Sequence, residues 1–281
     1  MAITRSSITL PPDVAREIMQ KTQTESAVMT LAQRIDLPGR GASINVITSD
    51  PAAAWVGEGN AKPVADPGLQ TKVMTPYKLA VIVPFSEEFA RDAQTLYDAL
   101  IARLPRALGE KFDNTVAGGG TAPGSNFDTF AAATAQSTAT DVYDALVAAD
   151  TDIAAHGGIL NGFAISPQAR GVLLGAKDGN ERPLFINSVA EGAVPMILGA
   201  PTVLSKGMYV SGTPAVLGIA GDWTQAMYGT VEGVRIDFSK DATLVSGATT
   251  INLFQQNMLA VRAEIEIGFR ADVTVFNKIT A

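Results

Sequence analysis

Apolar residues recur at three- and four-residue steps in one long stretch of the chain. The recurring positions are Ala93, Leu96, Leu100, Leu104, Ala107 and Leu108. Residues three and four apart share one face of a helix, so this spacing predicts an amphipathic helix over about residues 87–116. Ser86 is the predicted N-cap of that helix. Pro105 lies inside it and should either kink the helix or cost about 3 kcal/mol.

Toward the C-terminus the pattern changes to alternation of apolar and charged residues. The apolar positions are Ile265, Ile267, Phe269, Ala271, Val273 and Val275, and the charged positions are Arg262, Glu264, Glu266, Arg270 and Asp272. A period of two predicts a long strand with one buried face and one solvated face. A second strand is predicted over residues 78–84, where the run KLAVIVP is almost continuously apolar.

The middle of the chain mixes helix-like and strand-like segments. Helices are predicted over 141–155 and 167–176, and strands over 162–166, 197–205 and 213–223. Glycine-containing turns separate these segments. The mixture predicts a compact α/β unit that begins near residue 138 and ends near residue 230.

The segment AWVGEGNAKPVADPG, residues 54–68, fits none of these patterns. Its glycines and prolines exclude a helix, whereas Trp55 and Val56 make its start too apolar for a solvated tail. We therefore predict that residues 57–76 form a long projecting loop or ribbon.

Composition narrows the function mainly through what the chain lacks. The 281 residues are 47% hydrophobic, which is enough for one large core or two modest ones. The net charge of −7 gives no global attraction to nucleic acid or to an anionic membrane. There is no cysteine and one histidine, His156, so disulfides, thiolate or histidine metal sites and Ser-His-Asp catalysis are disfavoured. No apolar run approaches the length of a membrane span. The composition fits a cytoplasmic setting, and no cofactor is predicted.

Three segments, in this order, resemble the major capsid proteins of tailed bacteriophages that have the Hong Kong 97 fold. They are AWVGEGNAKPVADPG with KLAVIVPFSEEFARDA, LLGAKDGNERPLF with ILGAPTVLS and GIAGDWTQAMYG, and NMLAVRAEIEIGFRADVTVF. The likeness spans residues 54–276. It implies an α+β chain divided into an N-terminal arm and lead-in (1–45), an extended E-loop (46–77), a peripheral domain with a long spine helix and a long β-sheet (78–135 and 236–281), and an axial α/β domain (136–235).

The resemblance implies a structural protein rather than an enzyme. Its copies would assemble as hexamers and pentamers into an icosahedral phage head around double-stranded DNA. The implied partners are further copies, a portal protein and a separate scaffolding protein. The scaffold is expected to be separate because the chain begins almost at once with its arm; the alternative is that the sequence is a processed form, and a start at Met1 favours the former. The acidic net charge predicts weak contact with packaged DNA, and no membrane partner is expected. The implied location is the virion, after assembly in the host bacterial cytoplasm.

Two other roles in a shell stay open. An encapsulin-type nanocompartment shares the fold and packages enzyme cargo, and neither the E-loop nor the spine helix separates it from a phage head. A decoration or minor structural protein is disfavoured, because the likeness covers both principal domains. A metabolic enzyme is disfavoured too, since the glycine-rich residues 117–124 lack the lysine of a phosphate-binding loop.

In the resembled fold the E-loop lies across a neighbouring subunit. Trp55, Val56 and Glu58 are therefore the implied interface residues, with Trp55 as the anchor, because aromatic residues dominate such contacts. The alternative is that Trp55 packs at the end of a sheet in its own chain.

Some members of this family join an E-loop lysine to an asparagine of a neighbour, with a glutamate assisting and ammonia leaving. On the matched motifs, Lys62 corresponds to the lysine, Asn257 to the asparagine and Glu264 to the glutamate. An ammonium with a pKa of about 10.4 is not a nucleophile at neutral pH, so Lys62 must lose its proton, and Glu264 is the implied base.

This crosslink has alternatives. Lys62 could be an ordinary solvated cation, Glu264 could be one charge on a wet strand face, and Lys72 competes for the position of the reactive lysine. Asn257 and Glu264 are seven residues apart, so on one regular strand they would face opposite ways. Neighbouring subunits would then have to supply different members of the triad.

Overall fold

The structure is a computed structural model of the chain. It describes residues 26–49, 53–57, 61–62, 64, 68–87, 93–177, 180–182, 184, 196–246 and 249–281. The helices are α1 (Ala27–Leu31), α2 (Ala93–Val116), α3 (Val142–Ala155) and α4 (Pro167–Gly175) in this part of the chain. The strands are β1 (Gln33–Asp36), β2 (Ala42–Ser49), β3 (Gly68–Met74), β4 (Tyr77–Ser86), β5 (Thr134–Ser137), β6 (Gly162–Ile165), β7 (Met196–Ile197), β8 (Ala200–Leu204), β9 (Val216–Gly221), β10 (Ala226–Thr230), β11 (Arg235–Ser239), β12 (Thr243–Ser246), β13 (Thr249–Asn252), β14 (Met258–Ala271) and β15 (Phe276–Thr280). The α+β class predicted from the sequence is confirmed.

The first sheet is built around β14. This strand pairs antiparallel with β4 along one edge and with β10 and β11 along the other, and β10 pairs in parallel with β1. The long strand predicted from alternation is confirmed over Met258–Ala271. It does not continue to Val275, because the side chain of Asp272 caps a 3₁₀ turn at Val273–Val275.

Helix α2 covers one face of the first sheet. Leu104 and Leu108 of the helix are buried. The cluster that they form with the sheet contains Val234, Ile236, Val261, Ala263 and Ile265. The alternating apolar residues of β14 therefore face the helix, and Arg262, Glu264 and Glu266 lie on the opposite, more exposed face.

The helix predicted over residues 87–116 corresponds to α2. It ends at Val116 as predicted and continues through Pro105 as a single helix. Ser86, the predicted N-cap, is the last residue of β4, and residues 88–92 lie outside the described residues. Across the described ranges, no helix has both the length and the apolar character needed to cross a bilayer.

The second sheet has the strand order β5-β15-β9-β6-β8-β7. Helices α3 and α4 pack on it through a buried cluster that includes Leu146, Phe163 and Leu173. The carboxylate of Asp141 caps the start of α3, and Ser166 caps α4 in the same way. The two helices predicted in the α/β unit are thus confirmed, together with the strands β6, β8 and β9.

The two sheets do not follow the predicted domain limits. β10 belongs to the predicted axial range and pairs with β14 in the first sheet. β15 belongs to the predicted peripheral range and pairs with β5 and β9 in the second sheet. The division into domains near residue 236 therefore stays a prediction.

An aromatic cluster joins the two sheets. The ring of Phe130 lies 4.5 Å from that of Phe276, 5.7 Å from Phe269 and 5.9 Å from Trp223, measured between centroids. Phe112 of α2 makes an edge-on contact with Phe269 at 6.1 Å. Because these rings come from both sheets and from α2, their burial holds the body together as one core.

The described start of the chain lies in this core. Ala27 and Val28 of α1 are fully buried. The hydroxyl of Ser26 caps α1 by accepting a hydrogen bond from its first turn. Residues 26–36 of the predicted arm and lead-in thus belong to the body of the protein, and residues 1–25 lie outside the described residues.

Candidate functional site

Strands β2 and β3 form a two-stranded antiparallel ribbon. Ala42 lies opposite Met74 at its base, and Ser49 lies opposite Gly68 at its far end. Within the described residues the ribbon is a sheet of its own. Strand β3 lies within the ribbon predicted over residues 57–76, of which residues 58–60, 63 and 65–67 lie outside the described residues.

Every described residue at the tip of this ribbon is exposed. Trp55 is fully exposed, Val64 is almost fully exposed, and Val56 and Lys62 are exposed as well. Burying an apolar side chain of valine size or larger stabilises by about 1.5–3 kcal/mol, so the tip gains when it is covered. Trp55 does not pack on a sheet of its own chain. Glu58 lies outside the described residues.

Arg270 of β14 holds the base of the ribbon. Its Nε donates to the carbonyl oxygen of Val73 at 2.8 Å, its Nη1 to Asp128 Oδ1 at 2.7 Å, and its Nη2 to Asn126 Oδ1 at 2.9 Å. Only 13% of the Arg270 side chain is exposed, so water screens this ion pair weakly. The ribbon therefore leaves the body from a fixed base.

Lys72 also lies at the base of the ribbon. Its Nζ donates to the backbone carbonyl of Ala271 at 3.1 Å. Lys62, by contrast, lies between β2 and β3, at the tip. Of the two lysines that compete for the reactive position, Lys62 is the one with an exposed side chain at the tip.

Asn257 lies in the turn before β14. Its φ is +50°, in the left-handed region where asparagine is enriched among non-glycine residues. Its carbonyl accepts a hydrogen bond from the N–H of Glu87 at 2.8 Å, and its side chain is exposed. The argument that Asn257 and Glu264 face opposite sides of one strand does not apply, because the strand begins at Met258.

Glu264 lies in the middle of β14. Its neighbours across the sheet are Ala80 of β4 and Arg235 of β11. The side chain is 17% exposed, and its Oε2 lies 3.7 Å from Nε of Arg262. Glu264 is thus a mostly covered carboxylate beside a guanidinium.

The sheet face that holds Glu264 carries paired charges of both signs. Nη2 of Arg262 donates to Asp237 Oδ2 at 2.6 Å. This hydrogen bond lowers the pKa of Asp237 and raises the pKa of Arg262. Lys78 and Glu266 form a further pair at 3.3 Å on the same face. The face is therefore close to neutral and suited to polar contacts.

The structure does not bring the predicted crosslink residues of one copy together. Asn257 and Glu264 are separated by half of a long strand, which corresponds to roughly 20 Å. One carboxyl group therefore cannot assist a reaction at the carboxamide of the same copy. Any bond between Lys62 and Asn257 that uses Glu264 requires groups from more than one copy.

Sequence reasoning missed Asp113, a fully buried carboxylate on α2. Its Oδ1 accepts from the hydroxyl of Ser26 at 2.5 Å, and its Oδ2 accepts from the N–H of Ala27 at 2.9 Å. Burial raises the pKa of Asp113 to about 6, although hydrogen bonds to Ser205 and Ser26 act in the opposite direction. The only local sign of this burial in the sequence is that Asp113 follows Phe112 on the apolar side of the helix.

Sequence reasoning also missed an apolar pocket of about 160 Å³ where α2, β4 and β14 meet, named here the Tyr77 pocket. Its lining consists of Tyr77, Lys78, Leu79, Lys111, Phe112, Thr115, Thr121, Pro123, Phe127 and Ile267. The rings of Tyr77 and Phe127 are in edge-on contact at 6.2 Å, which gives the pocket a firm wall. Because the lining comes from separate elements, no local pattern reveals it.

Comparisons with known proteins agree with this architecture. Residues 6–277 match the phage capsid family. The chain is 31% identical to the probable major capsid protein gp17 of Mycobacterium phage L5, over 96% of this chain and 89% of that protein. Among solved structures, it resembles a chain of Mycobacterium phage Adephagia with a TM-score of 0.72 at 20% identity, covering 91% of this chain and 89% of that one. It also resembles the capsid of an empty GTA particle, with a TM-score of 0.65 at 17% identity and coverage of 92% and 96%. These structural likenesses confirm the Hong Kong 97-type fold.

Proposed function

Because this chain belongs to the phage capsid family, we propose that its copies assemble as hexamers and pentamers into an icosahedral head that encloses double-stranded DNA. The chain is a major capsid protein, a structural component of the virion that forms its shell. The observation that carries this function is the family match over residues 6–277. Since the relatives are phage capsid proteins, an encapsulin-type nanocompartment is not favoured.

The ribbon supports assembly through neighbouring copies. Its base is fixed by Arg270, whereas Trp55 and Val64 at its tip are in water in the single chain. We infer that the ribbon of each copy lies across another copy, with Trp55, Val56 and Glu58 at the contact. Burial of a central tryptophan is typical of the residues that dominate protein interfaces.

The remaining partners are part of the same proposal. A portal protein and a separate scaffolding protein would act during assembly in the host bacterial cytoplasm. The net charge of −7 favours weak and local contact with packaged DNA, since both surfaces are negative on average.

Electron microscopy of the expressed protein, with and without its neighbouring reading frames, tests the proposal. We expect closed shells in the wild type and a several-fold lower yield of shells for Trp55→Ala. Ile159→Ala is the matched control, because Ile159 is also apolar and exposed but lies outside the ribbon. Equal yields for Trp55→Ala and wild type would contradict the ribbon contact, and open sheets or tubes without pentamers would contradict the head.

We also propose that assembled copies are joined by isopeptide bonds between Lys62 and Asn257. Glu264 takes the proton of the ammonium, and the free amine attacks the carboxamide carbon of Asn257. A new C–N bond forms as the side chain's own C–N bond breaks. The proton that the attacking nitrogen then loses goes to the departing nitrogen, so ammonia leaves. The exposure of Lys62 and Asn257 supports this proposal, because both groups are accessible to another copy.

Denaturing electrophoresis of assembled particles tests the crosslink. We expect a ladder above the 29.3 kDa chain, which Lys62→Arg and Asn257→Asp abolish and Glu264→Gln slows. Lys72→Arg should keep the ladder, since the arginine still reaches the carbonyl of Ala271 at the ribbon base. A single band at 29.3 kDa from wild-type shells would refute the proposal.

A further inference from the structure

The body of the protein has an apolar pocket, and the ribbon carries a fully exposed aromatic side chain, Trp55. We propose that the Tyr77 pocket receives the Trp55 side chain of a second copy of the chain. This inference rests on the ribbon contact proposed above and specifies where that contact is made.

The chemistry of the Tyr77 pocket suits an indole ring. Leu79, Phe112 and Ile267 supply apolar surface, and Tyr77 and Phe127 supply aromatic faces and edges. Aromatic pairs in edge-to-face or offset geometry add about 0.5–1.5 kcal/mol beyond the burial of their area. The volume of about 160 Å³ is large enough for one side chain and too small for a folded segment.

The rim of the pocket can satisfy the indole N–H. Thr115 and Thr121 both line it. The hydroxyl of Thr115 already donates its proton to the carbonyl of Lys111 at 2.9 Å, so its oxygen is left as an acceptor. A buried tryptophan N–H normally finds such a partner, which explains why an apolar pocket with threonines at its edge fits tryptophan better than phenylalanine.

The ribbon's own geometry makes a second copy the occupant. The pocket contains Tyr77, which follows β3 almost directly, so it lies near the base of the ribbon. Pairing of β2 with β3 from Ala42↔Met74 to Ser49↔Gly68 holds the tip roughly 20 Å from that base. In the single chain Trp55 is accordingly fully exposed. A different copy must fill the pocket.

Charge complementarity favours the same pairing. Lys78 and Lys111 both line the pocket. Lys78 is already paired with Glu266 at 3.3 Å, whereas Lys111 makes no ion pair within the described residues. The tip segment AWVGEGNAKPVADPG carries two acidic residues, Glu58 and Asp66, against one lysine, Lys62. An acidic tip that inserts its tryptophan beside Lys111 gains attraction to that cation as well as burial in the pocket.

Disulfide trapping tests the contact cleanly, because the chain has no cysteine. Val56→Cys combined with Thr121→Cys keeps Trp55 and places a thiol on each side of the proposed contact. The matched control combines Val56→Cys with Thr151→Cys, since Thr151 is an exposed threonine on α3, away from the pocket. Both are made in the Lys62→Arg background, so that isopeptide bonds add nothing to the ladder.

We expect oxidised shells of the Thr121 pair to give a ladder at multiples of 29.3 kDa under non-reducing conditions, and shells of the Thr151 pair to give none. Limited proteolysis of the tip in the same shells separates the two proposals. A protected tip without the Thr121 ladder overturns the pocket and leaves the ribbon contact standing. A tip that stays cleavable in closed shells overturns both.

A double-variant measurement covers the case in which the cysteine pair assembles poorly. Thr121→Phe should fill the mouth of the pocket and lower the yield of shells several-fold, as is expected of Trp55→Ala. If the tryptophan enters this pocket, the combined variant should be no worse than either single variant, because both remove one contact. Losses that multiply in the combined variant would overturn the proposal.

Discussion

Nε of Arg270 lies 2.8 Å from the backbone carbonyl oxygen of Val73, and this hydrogen bond joins the long strand β14 to the base of the ribbon. The same guanidinium is paired with Asp128 at 2.7 Å. One side chain therefore links the body of the subunit, the loop after α2 and the element that we propose reaches another copy. Its loss should affect stability and assembly together.

Replacing Arg270 by alanine should lower the free energy of unfolding by about 3 kcal/mol, because Asp128 then keeps a shielded carboxylate without its partner. Urea denaturation of the unassembled subunit measures the change. Arg34→Ala is the control, since the Arg34–Asp36 pair is exposed and should be worth less than about 1 kcal/mol. Similar losses for the two variants would show that the Arg270 cluster has no special role.

The variant Leu108→Ala tests how tightly α2 packs on the first sheet. Leu108 is buried against Val261 and Ile265 of β14, so Leu108→Ala should cost about 2–5 kcal/mol through lost burial and a cavity. Ile82→Ala, on the open face of β4, should cost less than about 1 kcal/mol because Ile82 is half exposed. Thermal denaturation of both variants checks the difference. An equally small effect at Leu108 would mean that the helix and the sheet are not tightly packed.

Replacing either of two glycines by alanine should change the free energy of unfolding, but in opposite directions. A Cβ on Gly221 would collide with the fully buried ring of Phe276, so Gly221→Ala should destabilise by about 1–3 kcal/mol. Gly171 lies inside α4 with open space around it, so Gly171→Ala should stabilise by about 0.5–1 kcal/mol through helix propensity. The midpoints of urea denaturation compare the two. Stability changes of the same sign in the two variants would contradict this prediction.

The buried carboxyl of Asp113 should make stability depend on pH. Its pKa in the folded protein, about 6, is above the ordinary value of 3.8, so the folded state binds the proton more tightly than the unfolded chain. The resulting stabilisation is complete below the unfolded value and is lost as the pH rises through the folded value.

Relative to Asp113→Asn, the free energy of unfolding of the wild type should therefore fall by about 3 kcal/mol between about pH 3 and about pH 7. Urea denaturation of both proteins at each pH measures this difference and cancels the contribution of all other titrating groups. A difference that stays constant, or that grows with pH, would be inconsistent with a raised pKa at Asp113.

Local patterns predicted the elements that position the site. The alternation over residues 262–275 and the helical spacing up to Val116 are properties of neighbouring residues, so they are visible before the chain folds. The ribbon was predictable in the same way, since the prolines and glycines of residues 54–68 exclude a helix. The start of β14 was not, because alternation alone does not show that Asn257 adopts a positive φ in a turn.

Contacts between residues that are far apart in the sequence could not be predicted from these patterns. Asp113 is held by Ser26 and Ala27, which lie 87 and 86 residues away in the chain. Lys62 and Lys72 both fall in the predicted ribbon, and only the pairing of β2 with β3 shows that one lies at its tip and the other at its base. The pairing of β10 with β14 and of β15 with β9 was not visible in the sequence for the same reason, since it joins residues that lie far apart along the chain.

By itself, then, the amino-acid sequence determined the fold class, the order of helices and strands and the likeness to capsid proteins, because hydrophobic periodicity and motif order are carried along the chain. The tertiary structure alone decided which carboxylate is buried, which lysine stands at the ribbon tip, and where apolar side chains leave a pocket. Burial and pairing depend on groups that folding brings together from far apart, and no stretch of sequence contains both members of such a pair.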